Sequence, residues 1–180
     1  MQIATGYVKI AEPQLSSASN RSLGRSRGRG MTKLVLLDDK KMNHKLGKES
    51  DEVYGGLKAN KAKLGRGHDH MYGGDGHDEI DGGRGHDYLV GGHGIDILTG
   101  GKGKDEFGFE LAIHSIKGKH YSIIKDFNPR QDGLCFTGGY DPSVITSKGN
   151  KVCFMDDLIA KIQNTTADVV AKAVADATFM

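Results

Sequence analysis

Apolar positions in the middle of the chain repeat with a period of nine, which matches neither a helix nor a simple amphipathic strand. Met71, Ile80, Leu89, Leu98 and Phe107 stand nine residues apart, each at the centre of a three-residue run that follows a glycine-rich hexamer. In blocks of nine from Leu46 the rows read LGKESDEVY, GGLKANKAK, LGRGHDHMY, GGDGHDEID, GGRGHDYLV, GGHGIDILT and GGKGKDEFG. The rows at Gly73, Gly82, Gly91 and Gly100 match G-G-x-G-x-D-x-U-x at every fixed position, where U is a large apolar residue. The row at Leu64 lacks only the first Gly. The row at Leu46 has lost two glycines, and the row at Gly55 has Asn60 for Asp and Ala62 for the apolar residue.

Each position implies a structural task. The first six residues need positive φ or close backbone approach, which Gly permits. The last three predict a very short strand whose middle side chain points to one face. Two nonapeptides then complete an 18-residue turn of a coil, with parallel strands about 4.8 Å apart in successive turns. Further along, Ser143–Ser147 and Lys151–Met155 flank the Gly149-Asn150 turn and predict a hairpin. Asp157–Gln163 alternates as another strand, and Thr166 precedes an Ala/Val-rich helix. The fold class is all-β: a parallel β-roll of nonapeptide repeats over 46–108, and a small antiparallel β cap with a short C-terminal helix over 109–180. A basic, largely disordered arm over 1–45 is expected to precede them.

Composition supports a repeat rather than low complexity. Of 27 glycines in 180 residues, 18 fall between Leu46 and Gly108, at fixed places in the rows. Residues 1–45 carry nine Lys/Arg against three Asp/Glu, 46–108 carry eight against twelve, and 109–180 carry eight of each. No apolar run approaches the 18 or so residues of a membrane span, and the N-terminus lacks the apolar core of a cleaved secretory signal. Cys135 and Cys153 are too few for a disulfide framework. Both lie in β-like runs, as packing residues or as one bridge in an oxidising compartment.

One large apolar side chain per nine residues buries too little to offset the ordering of a glycine-rich backbone. The carboxylates supply what is missing. Asp69, Asp87 and Asp105 recur every 18 residues along one edge, and Asp78 and Asp96 along the other. Stacked at strand spacing without a cation they repel. With a hard divalent cation between turns they become ligands, and carbonyls of the glycine-rich turns complete an all-oxygen shell. Such a flexible shell suits Ca²⁺ better than Mg²⁺.

On these residues the chain resembles the RTX (haemolysin-type) calcium-binding nonapeptide-repeat proteins, whose pattern forms a Ca²⁺-binding parallel β-roll. The resemblance implies one Ca²⁺ between turns 18 residues apart. It is held by the second and fourth carbonyls and the Asp of one row, and by the first and third carbonyls and the Asp of the next. One site then uses Gly65, Gly67 and Asp69 with Gly82, Arg84 and Asp87. A second uses Gly74, Gly76 and Asp78 with Gly91, His93 and Asp96. A third uses Gly83, Gly85 and Asp87 with Gly100, Lys102 and Asp105. A fourth pairing, Asp51 with Asp69, meets Glu49 where the turn wants Gly, and a fifth, Asn60 with Asp78, departs from the pattern at Lys58 and Asn60.

The tail extends the resemblance. Ile123–Pro129 (IIKDFNP) and Asp132-Gly133-Leu134 are similar to segments that follow RTX repeats, with Asp126 a further ligand or a turn residue. The resemblance implies an extracellular protein exported by type I secretion machinery, whose C-terminal signal is compatible with the ending Asp176–Met180. Its direct activity is expected to be Ca²⁺ binding coupled to folding, without catalysis. The alternatives are the C-terminal calcium-binding module of an extracellular hydrolase, or an adhesive, surface-associated scaffold of unknown extracellular partner.

Other signals weigh less. Gly24-x-Ser26-x-Gly28 spells a nucleophile elbow but lacks the flanking strand and helix. Arg21, Arg25, Arg27 and Arg29 form a basic segment without the aromatics that stack on bases, so nucleic acid is not expected as a partner. Met31, ahead of TKLVLL, is an alternative start. His68, His77 and His86 occupy the variable fifth position, as polar spacers or as a stack attractive to a transition metal.

Overall fold

The structure, a computed structural model, describes residues 33–36, 43–111 and 119–180. The arginine-rich segment, Gly24–Gly28 and Met31 lie outside the described residues. Two sheets face each other across one core. The first contains β1 (Lys33–Leu36), β3 (Asp51–Tyr54), β5 (His70–Tyr72), β7 (Tyr88–Val90), β9 (Glu106–Glu110), β11 (Gly133–Thr137) and β15 (Thr178–Phe179), paired in that order. The second runs β2 (Asn43–Lys45), β4 (Lys61–Arg66), β6 (Glu79–Arg84), β8 (Ile95–Lys102), β10 (Tyr121–Ile124), β14 (Asp157–Ile162), β13 (Lys151–Phe154) and β12 (Ile145–Lys148). A helix, α1 (Ala167–Ala175), packs against the cap.

The chain alternates between the sheets at every nonapeptide, and successive turns pair in parallel at 18-residue steps. Val53, Met71, Leu89, Phe107 and Leu134 form one inward ladder, and Ala62, Ile80, Leu98, Ile124 and Ile162 the other. All ten are at most 1% exposed. The predicted apolar stack is therefore present, and the missing first Gly of one row is explained. Leu64, fully buried, adds its side chain to the core where other rows have glycine.

Three features differ from the sequence-based boundaries. The roll begins before residue 46: β1 and β2, inside the expected arm, pair in parallel with β3 and β4 at the same 18-residue step. Strands β4, β6 and β8 of the second sheet exceed three residues, because pairing continues into the next row, Gly65 beside Gly83 beside Gly101. The cap is mostly a continuation of the roll. β10, β11, β14 and β15 extend the two sheets in parallel, and only β12–β13–β14 pair antiparallel. The final residues leave the helix and join the first sheet, where Met180 N–H donates to the Phe136 carbonyl. Cys135 and Cys153 are both buried free thiols.

Turn stacking leaves no room for a side chain at the repeat glycines. Gly94 has φ +126°, and a Cβ built on it would lie 1.7 Å from the Gly76 carbonyl oxygen one turn away. Gly133 has nothing within 4 Å of such an atom. Gly94→Ala is expected to cost more than about 2 kcal/mol or prevent folding. Gly133→Ala should stay within about 1 kcal/mol. Denaturant unfolding of both variants in the same buffer checks this.

Candidate metal sites between the turns

The sixth residue of each row enters the strand with its carboxylate turned inside the edge of the roll. Asp69, Asp78, Asp87, Asp96 and Asp105 are each at most 2% exposed. In each, Oδ1 accepts the backbone N–H one turn earlier. Asp51 donates to Asp69, Asp69 to Asp87 and Asp87 to Asp105, while Asn60 donates to Asp78 and Asp78 to Asp96, at 2.7–3.0 Å. The stacking deduced from the 18-residue spacing is thus a pair of hydrogen-bonded ladders, one on each edge. The second oxygen, Oδ2, of all five has no hydrogen-bond partner. A buried charged oxygen without a partner is costly.

Burial raises these carboxyls far above their ordinary value, against the lowering effect of the amide hydrogen bonds. Asp69, Asp87 and Asp105 are pushed up to about 6, and Asp78 and Asp96 to about 7.

The degenerate row shows what the missing partner does. Asn60 occupies the Asp position, 3% exposed, and its Nδ2 donates to the carbonyl of Lys58, the fourth residue of its row. The amide N–H ties side chain to backbone. An ionised aspartate has no such donor, so in the intact rows a cation, a proton or a water must link the orphaned oxygen to nearby carbonyls, and Asn60 Oδ1 shares the lack of a partner.

Those carbonyls point into the gap between turns. The oxygens of Gly65, Gly67, Gly83 and Gly85 on one edge, and of Gly74 and Gly76 on the other, press against the next turn's glycines. A Cβ built on those glycines would stand only 1.4–2.4 Å away. The first-position glycines lie beneath their own aspartates: a Cβ on Gly82, Gly91 or Gly100 would be 2.4–2.6 Å from Oδ2 of Asp87, Asp96 or Asp105. The third-position carbonyls of Arg84, His93 and Lys102 already accept cross-turn bonds from Gly67, Gly76 and Gly85 at 2.8–3.0 Å, leaving each its second lone pair. Among the described residues no group of three or more His, Cys, Asp or Glu side chains is placed to hold a metal ion. Any site here combines few carboxylates with backbone oxygens, which is a hard-cation shell.

At the two doubtful pairings the outcomes diverge. Glu49, exposed, keeps the backbone path of its row, with its carbonyl 2.3 Å from a Cβ built on Gly67. At Lys58 the path changes, since a Cβ on Gly76 meets the Ala59 amide nitrogen first.

The fifth position is not a free spacer. His68 Nδ1 accepts the His86 amide, His86 Nδ1 that of Lys104, and His77 Nδ1 that of Ile95. The rings of His68 and His86 stack at 4.9 Å, so their Nδ1 lone pairs are used by the backbone rather than by a transition metal. Asp126 turns both oxygens to the amides of Gly100 and Gly101, which is backbone capping. Asp132 was missed as a member of the ladder. It accepts from Asp105 N–H through Oδ1 and from Asn128 N–H through Oδ2. The break in repeat length hides it, because Asp132 follows Asp105 by 27 residues rather than 18.

Comparison with known families agrees with this geometry. The model of the RTX calcium-binding nonapeptide repeat matches in four copies, within residues 47–80, 54–89 and 81–107. Over residues 47–107 the chain is thus similar to that repeat. No curated protein matches the chain.

Two outcomes are expected. A carboxyl whose folded pKa is raised stabilises the fold when protonated, so the metal-free roll should be more stable near pH 5 than near pH 7.5. That stability is lost as pH rises through about 6 to 7, so the β content read by circular dichroism in EGTA should grow as pH falls from 7.5 to 5. If Asp87 serves two cations, Asp87→Ala should remove two bound Ca²⁺ and Asp105→Ala one, counted by calorimetry.

Proposed function

We propose that this chain binds Ca²⁺ between successive turns of the roll, and that binding completes its folding. The observation that carries the reading is the unpartnered Oδ2 of Asp69, Asp78, Asp87, Asp96 and Asp105, with the next turn's Gly91 and Gly100 carbonyls crowding the same space over Gly73 and Gly82 as Oδ2 of Asp78 and Asp87. The ion supplies positive charge and an adaptable oxygen coordination sphere. The chain supplies three sets of oxygens: Gly65, Gly67 and Asp69 with Gly82, Arg84 and Asp87; Gly74, Gly76 and Asp78 with Gly91, His93 and Asp96; Gly83, Gly85 and Asp87 with Gly100, Lys102 and Asp105.

Folding and ligation are coupled because the unfolded glycine-rich chain has no preformed site. In a cytosol poor in free Ca²⁺ the aspartates repel and the repeats stay loose. Outside the cell, millimolar Ca²⁺ matches the weak affinities of extracellular modules. That difference suits a chain exported unfolded by a type I system and folded on arrival. Among the described residues no helix is long and apolar enough to cross a membrane. We read the chain as a binding and folding module rather than a catalyst.

Far-UV circular dichroism of the full chain, titrated with Ca²⁺ from an EGTA-stripped start, tests this. The repeats should pass from coil to β between about 0.1 and a few mM Ca²⁺, with Mg²⁺ ineffective over the same range. A spectrum that is already β in EGTA and indifferent to Ca²⁺ would overturn the coupling.

A further inference from the structure

The two edges of the roll share their inward aspartates but differ in what they show to solvent. On the edge formed by the rows at Leu46, Leu64, Gly82 and Gly100, the third residues are Lys48, Arg66, Arg84 and Lys102. Arg66, Arg84 and Lys102 lie side by side in register. All four are exposed and, with Lys45, line an open groove of about 600 Å³ along the edge. The third residues on the opposite edge are Leu57, Asp75 and His93.

Like charges stacked at one strand spacing are unfavourable unless something neutralises them. Elsewhere the roll does this itself: Lys61 pairs with Glu79, and Lys63 with Asp81, one turn apart on the face of the second sheet. Lys48, Arg66, Arg84 and Lys102 take part in none of the ion pairs among the described residues. The same step that pairs charges on the face leaves four cations in a row on the edge.

We infer that this basic edge binds an acidic polysaccharide laid along the roll axis, and that it does so only when Ca²⁺ fills the turns beneath. The second half rests on the calcium reading above. The first six positions of the four rows hold five cations (Lys48, Arg66, Arg84, Lys102, Lys104) and five acids (Glu49, Asp51, Asp69, Asp87, Asp105). Without a metal these positions carry no net formal charge and Lys45 beside them adds only one, so an anion is drawn weakly at long range. Each Ca²⁺ adds two positive charges to this edge without covering the Lys and Arg heads. The ligand is a polymer because the cations form a straight, evenly stepped line rather than a cluster. It is a polysaccharide rather than a nucleic acid because the third positions hold no Phe, Tyr or Trp for a base to stack on, and the imidazoles of His68 and His86 beside them stack on each other. Arginine forks suit carboxylate and sulfate groups, which they grip through two parallel hydrogen bonds.

The test is fluorescence anisotropy of a labelled heparin oligosaccharide with the full chain, in saturating Ca²⁺ and in EGTA, at physiological salt. Oligothymidylate of equal charge serves as the competing polyanion. Lys48→Gln/Arg66→Gln changes two ladder cations that lie outside the proposed Ca²⁺ ligand sets, and Lys151→Gln is a control on β13. We expect binding in Ca²⁺, loss in EGTA, about tenfold or greater weakening in the double variant with a shallower salt dependence, and no change in the control. Circular dichroism of the double variant should still respond to Ca²⁺ as the parent does. Equal heparin binding by parent and double variant, or tighter binding of oligothymidylate, overturns the inference. Binding that persists in EGTA overturns the gating. If Ca²⁺ produces no dichroism change in the parent, it is the calcium reading that fails, which the anisotropy arms do not confuse with failure of the edge.

Discussion

The roll turns on one half-satisfied group: a buried carboxylate whose Oδ1 takes an amide N–H from the turn before and whose Oδ2 takes nothing from the protein. The first oxygen fixes register, since it reaches one amide, 18 residues back. The second leaves a debt of hydrogen bonding that recurs at every intact row. Glycine follows from the same geometry. Gly82, Gly91 and Gly100 are overlain by their own row's Oδ2, and the second and fourth glycines receive carbonyls from the neighbouring turn. At those glycines no larger residue fits while the turns stay this close, and Leu64 holds a first position only by turning its side chain into the core.

Where the repeat ends, the protein supplies donors itself. Asp132 has an amide on each oxygen, Asp126 bonds to Gly100 and Gly101, and Asn60 replaces the carboxylate with a group that donates. Beyond Phe107 the apolar content also rises, with Phe109, Leu134, Phe136, Val152, Phe154, Ile159 and Val170 in one buried cluster. The cap is therefore the part whose folding owes least to a cation. In a stack where each turn contacts mainly its neighbours, order spreads by adding turns to an existing end. The cap offers such an end, and on the proposed reading cation binding would supply the free energy for adding the glycine-rich turns to it.

The repeat was legible because a nine-residue period with fixed glycines allows few alternatives, and the inward stack of Met71, Ile80, Leu89, Leu98 and Phe107 follows from it directly. The carboxylate ladders were legible for the same reason. The outer limits were not. β1 and β2 carry no G-G-x-G-x-D row, and only pairing across the turn brings them into the sheets. Asp132 escaped because the turn leading to it is longer than 18 residues. The histidines were misread as spacers or metal attractors, since nothing in a linear sequence shows that the fifth side chain faces the amide of the fifth residue one turn on. The third-position carbonyls came only from the resemblance to RTX repeats, and nothing in the sequence marks them as acceptors already shared with the preceding turn's amides.

An 18-residue turn built from two nonapeptides also gives the molecule two edges that can evolve apart. Their sixth residues are nearly constant, because every turn must end its strand entry on the same carboxylate. Their third residues are free to differ: Lys48, Arg66, Arg84 and Lys102 on one edge against Leu57, Asp75 and His93 on the other. Stacking then multiplies any choice, since one residue type per turn becomes a continuous stripe at strand spacing. The constant positions leave the same unpartnered carboxylate oxygen at every intact turn, and the variable ones decide what the roll presents to its surroundings.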